Sequence, residues 1–448
     1  LALVLIAAFL APPRQTAAGP NDLALGERKL NERRFGEAEG AFRKALADDP
    51  DSAKAHSGLA LALLAQGKSA EAVAEAARAV ALAPGDPEAL FRYGLALSGD
   101  GKLDQAADAF EKVVRAQPDK SAPRLALAMA RAAEGDERAI PAFEEAARLS
   151  PEDPSVRARF AAFLWQIGKN AEGNSRMEEA LLLAPQEPSL HAAYGRALYL
   201  QEKYTDAIAE LQRADALGGA NVQVLYLLGN AEWEAGKTGD AVATFEKAVS
   251  ADPSRVGPAY DLGRLLVWLG RPDEAIPRLE KAASLDPSSA PIRVDLGRAE
   301  EAAGRPEEGE AAYRKAIALD PDASGAHFAL GRLLVRSGRR AEGQRELAEY
   351  RKAYDAEQKR KFDENSRRAE LDLAWVVLRK GQAAEALLRF EKLPEGAESL
   401  EGAAAALSAL GRHGEAIADL ERARALAPDD TRIPALLAKE YEQTGAGK

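Results

Sequence analysis

A proline returns at a fixed interval along most of this chain. It stands at Pro50, Pro84 and Pro118, then at Pro151, Pro185, Pro253, Pro287 and Pro321, with Gly219 in the one vacant place. The interval is 34 residues except for the 33 between Pro118 and Pro151. Proline cannot continue a helix and biases the residue before it away from the helical region, so each of these marks a boundary. Counting the proline as position 32, the first repeat begins at Gly19. Position 8 is then Gly or Ala in ten successive repeats (Gly195, Gly229, Gly263 and Gly297 among them), and so is position 20 (Ala207, Ala241, Ala275, Gly309). Position 24 is often large: Phe42, Phe110, Phe143, Phe245, Tyr313. Each repeat reads as two helices, one over positions 2 to 14 and one over 18 to 30, meeting closely where both lack large side chains. The missing residue before Pro151 falls in the turn after Gly135, where it leaves the helix faces in register; inside a helix it would rotate the apolar face by about 100°. Asp104, Thr205, Asp240 and Asp273 near the start of second helices fit capping and the preference for acid at a helix amino end.

At 448 residues the chain is too long for one compact core, and repetition selects a stacked array over several globular domains. The net charge of −11, with no clustered basic stripe, argues against nucleic acid as a partner. Cysteine is absent, which removes disulfides, thiol catalysis and cysteine-based metal sites. Of the four histidines, His56, His191 and His327 all occupy position 4, a helix-packing position, and form no metal cluster. Paired acids such as Asp48-Asp49 read as solvated helix ends. No metalloprotease, nucleophile-elbow or phosphate-loop motif occurs, so we expect no enzymatic activity and no cofactor.

The unit Val222–Arg255, with Leu228, Gly229, Gly236, Ala241, Phe245, Ala248 and Pro253 at fixed offsets, resembles the tetratricopeptide repeat. The resemblance implies an all-α fold: a right-handed α-solenoid of stacked helix-turn-helix units, here about twelve repeats plus a C-terminal capping helix. Residues 1–18 read as a signal peptide or signal anchor, from the apolar run Leu1–Ala11 and the small residues Thr16 and Ala18. Export to the periplasm or secretion is the expectation, and a membrane is reached only through that segment if it is uncleaved. Repeats 1 to 10 then cover 19–357. The tenth departs from the pattern after Leu347: Tyr350 replaces Ala at position 27, and Gln344 to Lys380 contain neither Gly nor Pro. Its second helix is expected to lengthen through Glu357–Lys361, with an irregular insertion over 358–366 and a break near Asp363 to Ser366. Repeats 11 and 12 occupy 367–430. A capping helix and tail follow over 431–448, with Leu436, Leu437 and Tyr441 on one face.

The resemblance also implies that positions 5, 9 and 12 of the first helices face a concave groove. Position 9 reads Arg196, Asn230, Arg264, Arg298 and Arg332 in five successive repeats. Position 12 gives Trp165, Tyr199 and Trp233; position 5 gives Tyr226, Tyr260, Val294 and Phe328. Stacked, these would form ladders of guanidinium and aromatic groups able to hold an extended peptide or a partner subunit. Asp261 and Asp295 lie three residues before Arg264 and Arg298, within pairing distance on a helix, which leaves Arg196 and Arg332 the freer cations. Three functions stay open. One is a protein-interaction scaffold. Another is an adaptor for envelope assembly or for polysaccharide or protein export. The third is the repeat region of a protein resembling bacterial relatives of the O-linked N-acetylglucosamine transferases, although the repeats leave no room in these residues for a sugar-nucleotide domain.

Overall fold

In the computed structural model, which describes residues 22–133, 135–218, 221–428, 430 and 432–445, every proline of the series that is described sits just outside a helix end. The segment 1–18 and Gly219 lie outside the described residues. Among the described residues there are twenty-four helices and no strand. They begin with α1 (Asp22–Asn31), α2 (Phe35–Asp48), α3 (Ala53–Ala65), α4 (Ser69–Leu82), α5 (Pro87–Gly99) and α6 (Leu103–Ala116). Next come α7 (Ser121–Ala133), α8 (Ala139–Leu149), α9 (Pro154–Gln166), α10 (Asn170–Leu183), α11 (Pro188–Leu200) and α12 (Tyr204–Gly218). The repeats of the template follow as α13 (Val222–Glu234), α14 (Thr238–Ala251), α15 (Val256–Trp268), α16 (Pro272–Leu285), α17 (Ala290–Ala302) and α18 (Pro306–Leu319). The series closes with α19 (Ser324–Arg336), α20 (Arg340–Arg379), α21 (Ala383–Lys392), α22 (Ala397–Ala409), α23 (His413–Leu426) and α24 (Arg432–Thr444). The fold is all-α, built from paired helix-turn-helix repeats.

The chain divides into two units. One comprises the residues up to Leu183 together with those from Leu371 on; the other is Ala184–Glu370. Within each, the pairing follows from the small residues. A methyl group placed on Gly229 would come within 2.7 Å of the Phe245 ring, and one on Gly297 within 2.6 Å of Tyr313. Position 8 is therefore the floor on which the position-24 side chain of the same repeat lies. Phe245 and Tyr313 are fully buried there, a contribution of about 1.5 to 3 kcal/mol for each large apolar side chain.

The caps differ from expectation. Asp86, Asp153 and Asn221 accept backbone N–H bonds at the starts of α5, α9 and α13, so side-chain caps fall on some first helices, while α3, α15 and α19 have none. Second helices open on Lys102, Lys237 or Arg271 with no side-chain cap. Asp104, Asp240 and Asp273 lie inside the first turn, where they act on the helix dipole and do not close an orphan N–H. Position 15 is left-handed throughout the turns, as at Gly236 with φ of 76°, and Arg33 and Glu202 hold the same geometry without being glycine.

The shortened repeat behaves as its sequence requires. Helix α8 starts only at Ala139 and has 11 residues where α6 and α14, for example, have 14, yet Ala139 and Phe143 stay buried. The deletion is absorbed by the turn and the first helical turn.

Position 4 joins consecutive repeats. His56, His191 and His327 place Nε2 at 2.9, 3.1 and 3.0 Å from the carbonyl oxygens of Pro50, Pro185 and Pro321, the position-32 prolines of the preceding repeats. Because a carbonyl oxygen only accepts, Nε2–H donates. Nδ1 of each lies 2.6 to 2.7 Å from Glu75, Glu210 or Glu346 on the second helix of its own repeat. Each histidine thus ties two helices and the preceding turn.

The tenth repeat corrects one expectation. Helix α20 runs unbroken for 40 residues through Asp363–Ser366, where a break was expected. With no Gly or Pro between Gln344 and Lys380, nothing terminates it, and Asp363, Asn365 and Ser366 are tolerated at a helix interior for a few tenths of a kcal/mol each. From Gln358 to Glu370 every residue is exposed. In the portion from Leu371 a separate core forms around Phe390, Leu400, Leu407, Leu420 and Leu437. On α24 the buried apolar residues among those described are Ile433 and Leu437, four residues apart; Leu436, expected on that face, is exposed, and Tyr441 donates to Glu421.

Candidate functional site

First helices α11, α13, α15, α17 and α19 of the second unit carry the predicted ladder. Position 9 is a polar row as expected, but its members are held differently. Arg264 donates from Nη1 to Asp261 at 3.0 Å, and Arg298 does the same to Asp295 at 2.9 Å. Burial is the largest single influence on Arg264 and opposes its charge, but the hydrogen bond to Asp261 together with the charges of Asp261, Tyr260 and Asp295 outweighs it, leaving the guanidinium above its ordinary pKa. Asn230 is half-buried and donates to the Tyr226 carbonyl oxygen at 2.9 Å along its own helix. Among the described residues Arg196, which is exposed, has no ion pair, and Arg332 lies over the Phe328 ring at 5.6 Å without a carboxylate partner.

The position-5 tyrosines reach across to the next repeat. Tyr226 donates to Asp261 at 2.6 Å and Tyr260 to Asp295 at 2.7 Å, both spanning 35 residues. Burial first, and then the carboxylate hydrogen bond, push Tyr226 up to about 12; the same two causes raise Tyr260. Each aspartate therefore serves a tyrosine of the preceding repeat and an arginine of its own. The Arg264 guanidinium also sits 5.3 Å from the Trp233 ring centre and 5.4 Å from that of Tyr260. Tyr226, Trp233, Tyr260, Asp261, Arg264 and Asp295 thus form one connected lattice. Its aromatic and cationic groups are already engaged with each other.

Phe328 is exposed and packs at 5.0 Å against Tyr350 of α20, the residue that replaced the usual alanine. Tyr199 is half-buried beside Tyr204. Trp165 belongs to the other unit and departs from the prediction. Its indole donates to Asn174 at 2.8 Å and lies where a side chain on Gly173 would be, so the ring packs back on its own repeat.

Two residues of the same face were missed. Leu200 and Trp268, at position 13, are 74% and 68% exposed. They lie four residues after Arg196 and Arg264, which puts them on the stripe of position 9; extending the stripe by that one offset would have found them.

Two clefts open on this face. One, of about 720 Å3, is lined by Tyr260, Arg264, Val294, Asp295 and Arg298 and walled on one side by Ala353, Ala356, Glu357 and Arg360 of α20. The other, of about 740 Å3, lies among Arg298, Glu301, Phe328, Arg332 and Arg336. In the second, Arg336 pairs with Glu301, which also accepts from the Tyr313 hydroxyl. No group of three or more His, Asp or Glu able to hold a metal occurs among the described residues. No described helix is long and apolar enough to cross a membrane.

Comparison with known proteins agrees with the helix pairing. Three family models, each described as a tetratricopeptide repeat, match residues 23–87, 164–222 and 260–324, residues 232–276 and 300–360, and residues 88–120. A curated relative, DnaJ homolog subfamily C member 3 of Mus musculus, is 34% identical over 98 residues, 22% of this chain and 19% of the relative. The chain therefore spans about a fifth of the length of that relative. Similar solved structures include MamA of Desulfovibrio magneticus, at 22% identity and a TM-score of 0.37, covering 38% of this chain and 96% of that one. YrrB, described as a repeat protein with an unusual peptide-binding site, matches at 22% identity and 0.38, covering 41% and 95%. A tetratricopeptide repeat protein of Parabacteroides merdae matches at 15% and 0.38, covering 64% and 98%. With repeats matched over more than half its length and helices paired as those repeats require, the chain belongs to the tetratricopeptide repeat family.

Proposed function

We propose that this protein is a non-enzymatic protein-interaction scaffold, and that the first-helix face of Ala184–Glu370 holds an extended peptide or a segment of a partner subunit. The observation that supports this most is the pair of clefts sharing Arg298, on a face where Arg196 and Arg332 have no carboxylate partner among the described residues and Trp268 and Leu200 have little apolar cover. A face needed only for packing would carry none of these. Arginine beside exposed aromatic side chains is the composition that supplies binding hot spots, and a cleft between rigid helices holds them in place at a reduced ordering cost.

The test is selection of a displayed library of random twelve-residue peptides on the full chain. Enriched peptides that lose binding to an Arg196→Ala, Arg332→Ala double variant of unchanged helix content are the expected result. Failure to enrich any peptide would reject the reading. We propose in addition that the protein is exported, on the strength of the apolar run Leu1–Ala11 and the small residues that follow; recovery of the expressed protein from the cytoplasmic fraction alone would refute that.

A further inference from the structure

The two clefts differ in charge. The first sets Arg264, Arg298 and Arg360 against four acids, Asp295, Asp320, Asp322 and Glu357. In the second, Glu301 is the one acid among the lining residues, and it is already paired with Arg336 and hydrogen-bonded by Tyr313. Arg298 is held by Asp295, which leaves the Arg332 charge over the face of Phe328 uncompensated by any described carboxylate. A single carboxylate would balance it. A guanidinium fork that lies against an aromatic ring is also restrained in orientation, so little freedom is lost when it takes a carboxylate with both nitrogens.

The row of position 13 continues from this cleft. Ala302 and Arg336 line it, and the same position one repeat earlier is Trp268, whose indole is 68% exposed. Ala302 lies between them and is small, so nothing tall separates the indole from the cleft along that row. First helices two repeats apart are separated by about 16 to 20 Å at the usual helix spacing. That is the span of about five or six residues of extended chain.

We infer that the Arg332 cleft and Trp268 together recognise an extended peptide carrying one acidic side chain and, five or six residues away, one large apolar side chain. The carboxylate lies on Arg332 between Arg298 and Arg336, and the apolar group lies on the indole. The acid supplies register and the indole supplies area. This rests on the peptide-binding reading above and narrows it to one class of ligand on a chain whose overall charge is −11.

The experiment uses the full chain and the same twelve-residue library, read by sequencing of the enriched pool. The expected result is enrichment of Asp or Glu paired with Trp, Phe or Leu at that spacing. Arg332→Ala should abolish the acidic preference and weaken the best peptides about tenfold while leaving the apolar preference. Trp268→Ala should do the reverse. Replacing Glu by Gln in the best peptide should cost wild type about tenfold and the Arg332→Ala protein nothing. Peptides that bind and depend on Arg196, yet show no acid-apolar pair, would overturn this inference and leave the broader function standing. An empty selection would overturn both. Melting temperature and helix signal of each variant must match the parent, and Arg332→Lys serves as a second variant that keeps the charge and removes the fork.

Discussion

Repeats 2 to 4 in the first unit and repeats 7 to 10 in the second share a backbone plan and put the same positions to different uses. At positions 5, 9 and 12 the early repeats carry Ser57, Leu61 and Leu64, then Phe91, Leu95 and Ser98, then Leu125, Met129 and Ala132, and all nine are buried. The later repeats carry Tyr226, Asn230 and Trp233, then Tyr260, Arg264 and Val267, then Val294, Arg298 and Glu301, then Phe328, Arg332 and Val335, and every position-9 arginine among them is exposed. The repeat specifies where a helix lies but not whether its inner stripe is core or surface. That choice is left to a few side chains, and a family match alone does not reveal it. It also explains why the lattice of Tyr226, Asp261, Arg264, Tyr260 and Asp295 exists: polar groups on a half-buried stripe need partners, and the neighbouring repeat is where they can be found.

The comparison is broken most directly by exchanging the two uses. Leu61→Arg places a charge at a site 2% exposed and should destabilise the first unit by about 3 to 5 kcal/mol, the cost of an unpaired buried charge. Hydrogen exchange in 53–65 reads it, and a loss no larger than that of Arg332→Ala would end the distinction. Gly229→Leu tests what the units have in common. Overpacking the Phe245 contact should cost about 1 to 3 kcal/mol, seen as a lower melting temperature, and a variant that melts like the parent would remove position 8 from the helix contact. Tyr260→Phe deletes one lattice bond to a carboxylate and should cost about 1 to 2 kcal/mol, with faster exchange confined to α15 and α17.

The smallest effect concerns Glu232, a buried acid whose carboxyl is raised by burial, against the opposing hydrogen bonds of Thr244 and Gln212. A raised carboxyl pKa means the folded state holds its proton longer than the unfolded one. Its cost is absent below the unfolded value, appears as pH rises past it, and is complete above the folded value. Glu232→Gln should therefore leave stability near pH 4 unchanged and raise it at pH 8. Equal gains at both pH values would show that packing and not charge is responsible.

Much of this was legible before any coordinates. Proline at position 32, with Gly219 in its one vacant place, and small residues at 8 and 20 locate the helix pairs of the first nine repeats, because steric exclusion acts locally and leaves a local mark. The pairing of Asp261 with Arg264 was legible for the same reason, being three residues along one helix. The Tyr226–Asp261 bond was not, since it depends on how one repeat turns relative to the next, a quantity no single repeat encodes. Trp165 misled because position 12 can turn toward solvent or back onto its own repeat; here Gly173 leaves room for the ring and Asn174 accepts its N–H. The expected break in α20 failed because short polar residues at Asp363 to Ser366 were weighed above the absence of any Gly or Pro, and helix-stopping residues are the stronger signal.

That unbroken helix has a kinetic consequence. Over Gln358–Glu370 it has no buried face, so its order there rests on the local helix-coil equilibrium and on pairs such as Glu357–Lys361. A segment of this kind opens one turn at a time without waiting for any core to unfold. Lys359, Arg360, Lys361, Arg367 and Arg368 lie in it, and trypsin requires a locally opened chain. Digestion should thus begin here, in native buffer, long before either core yields. One cut would leave the carboxyl-terminal core, from Leu371 onward, on its own polypeptide. The same opening removes Arg360 from the wall of the first cleft, so the rate of that first cut also measures how often that wall is incomplete.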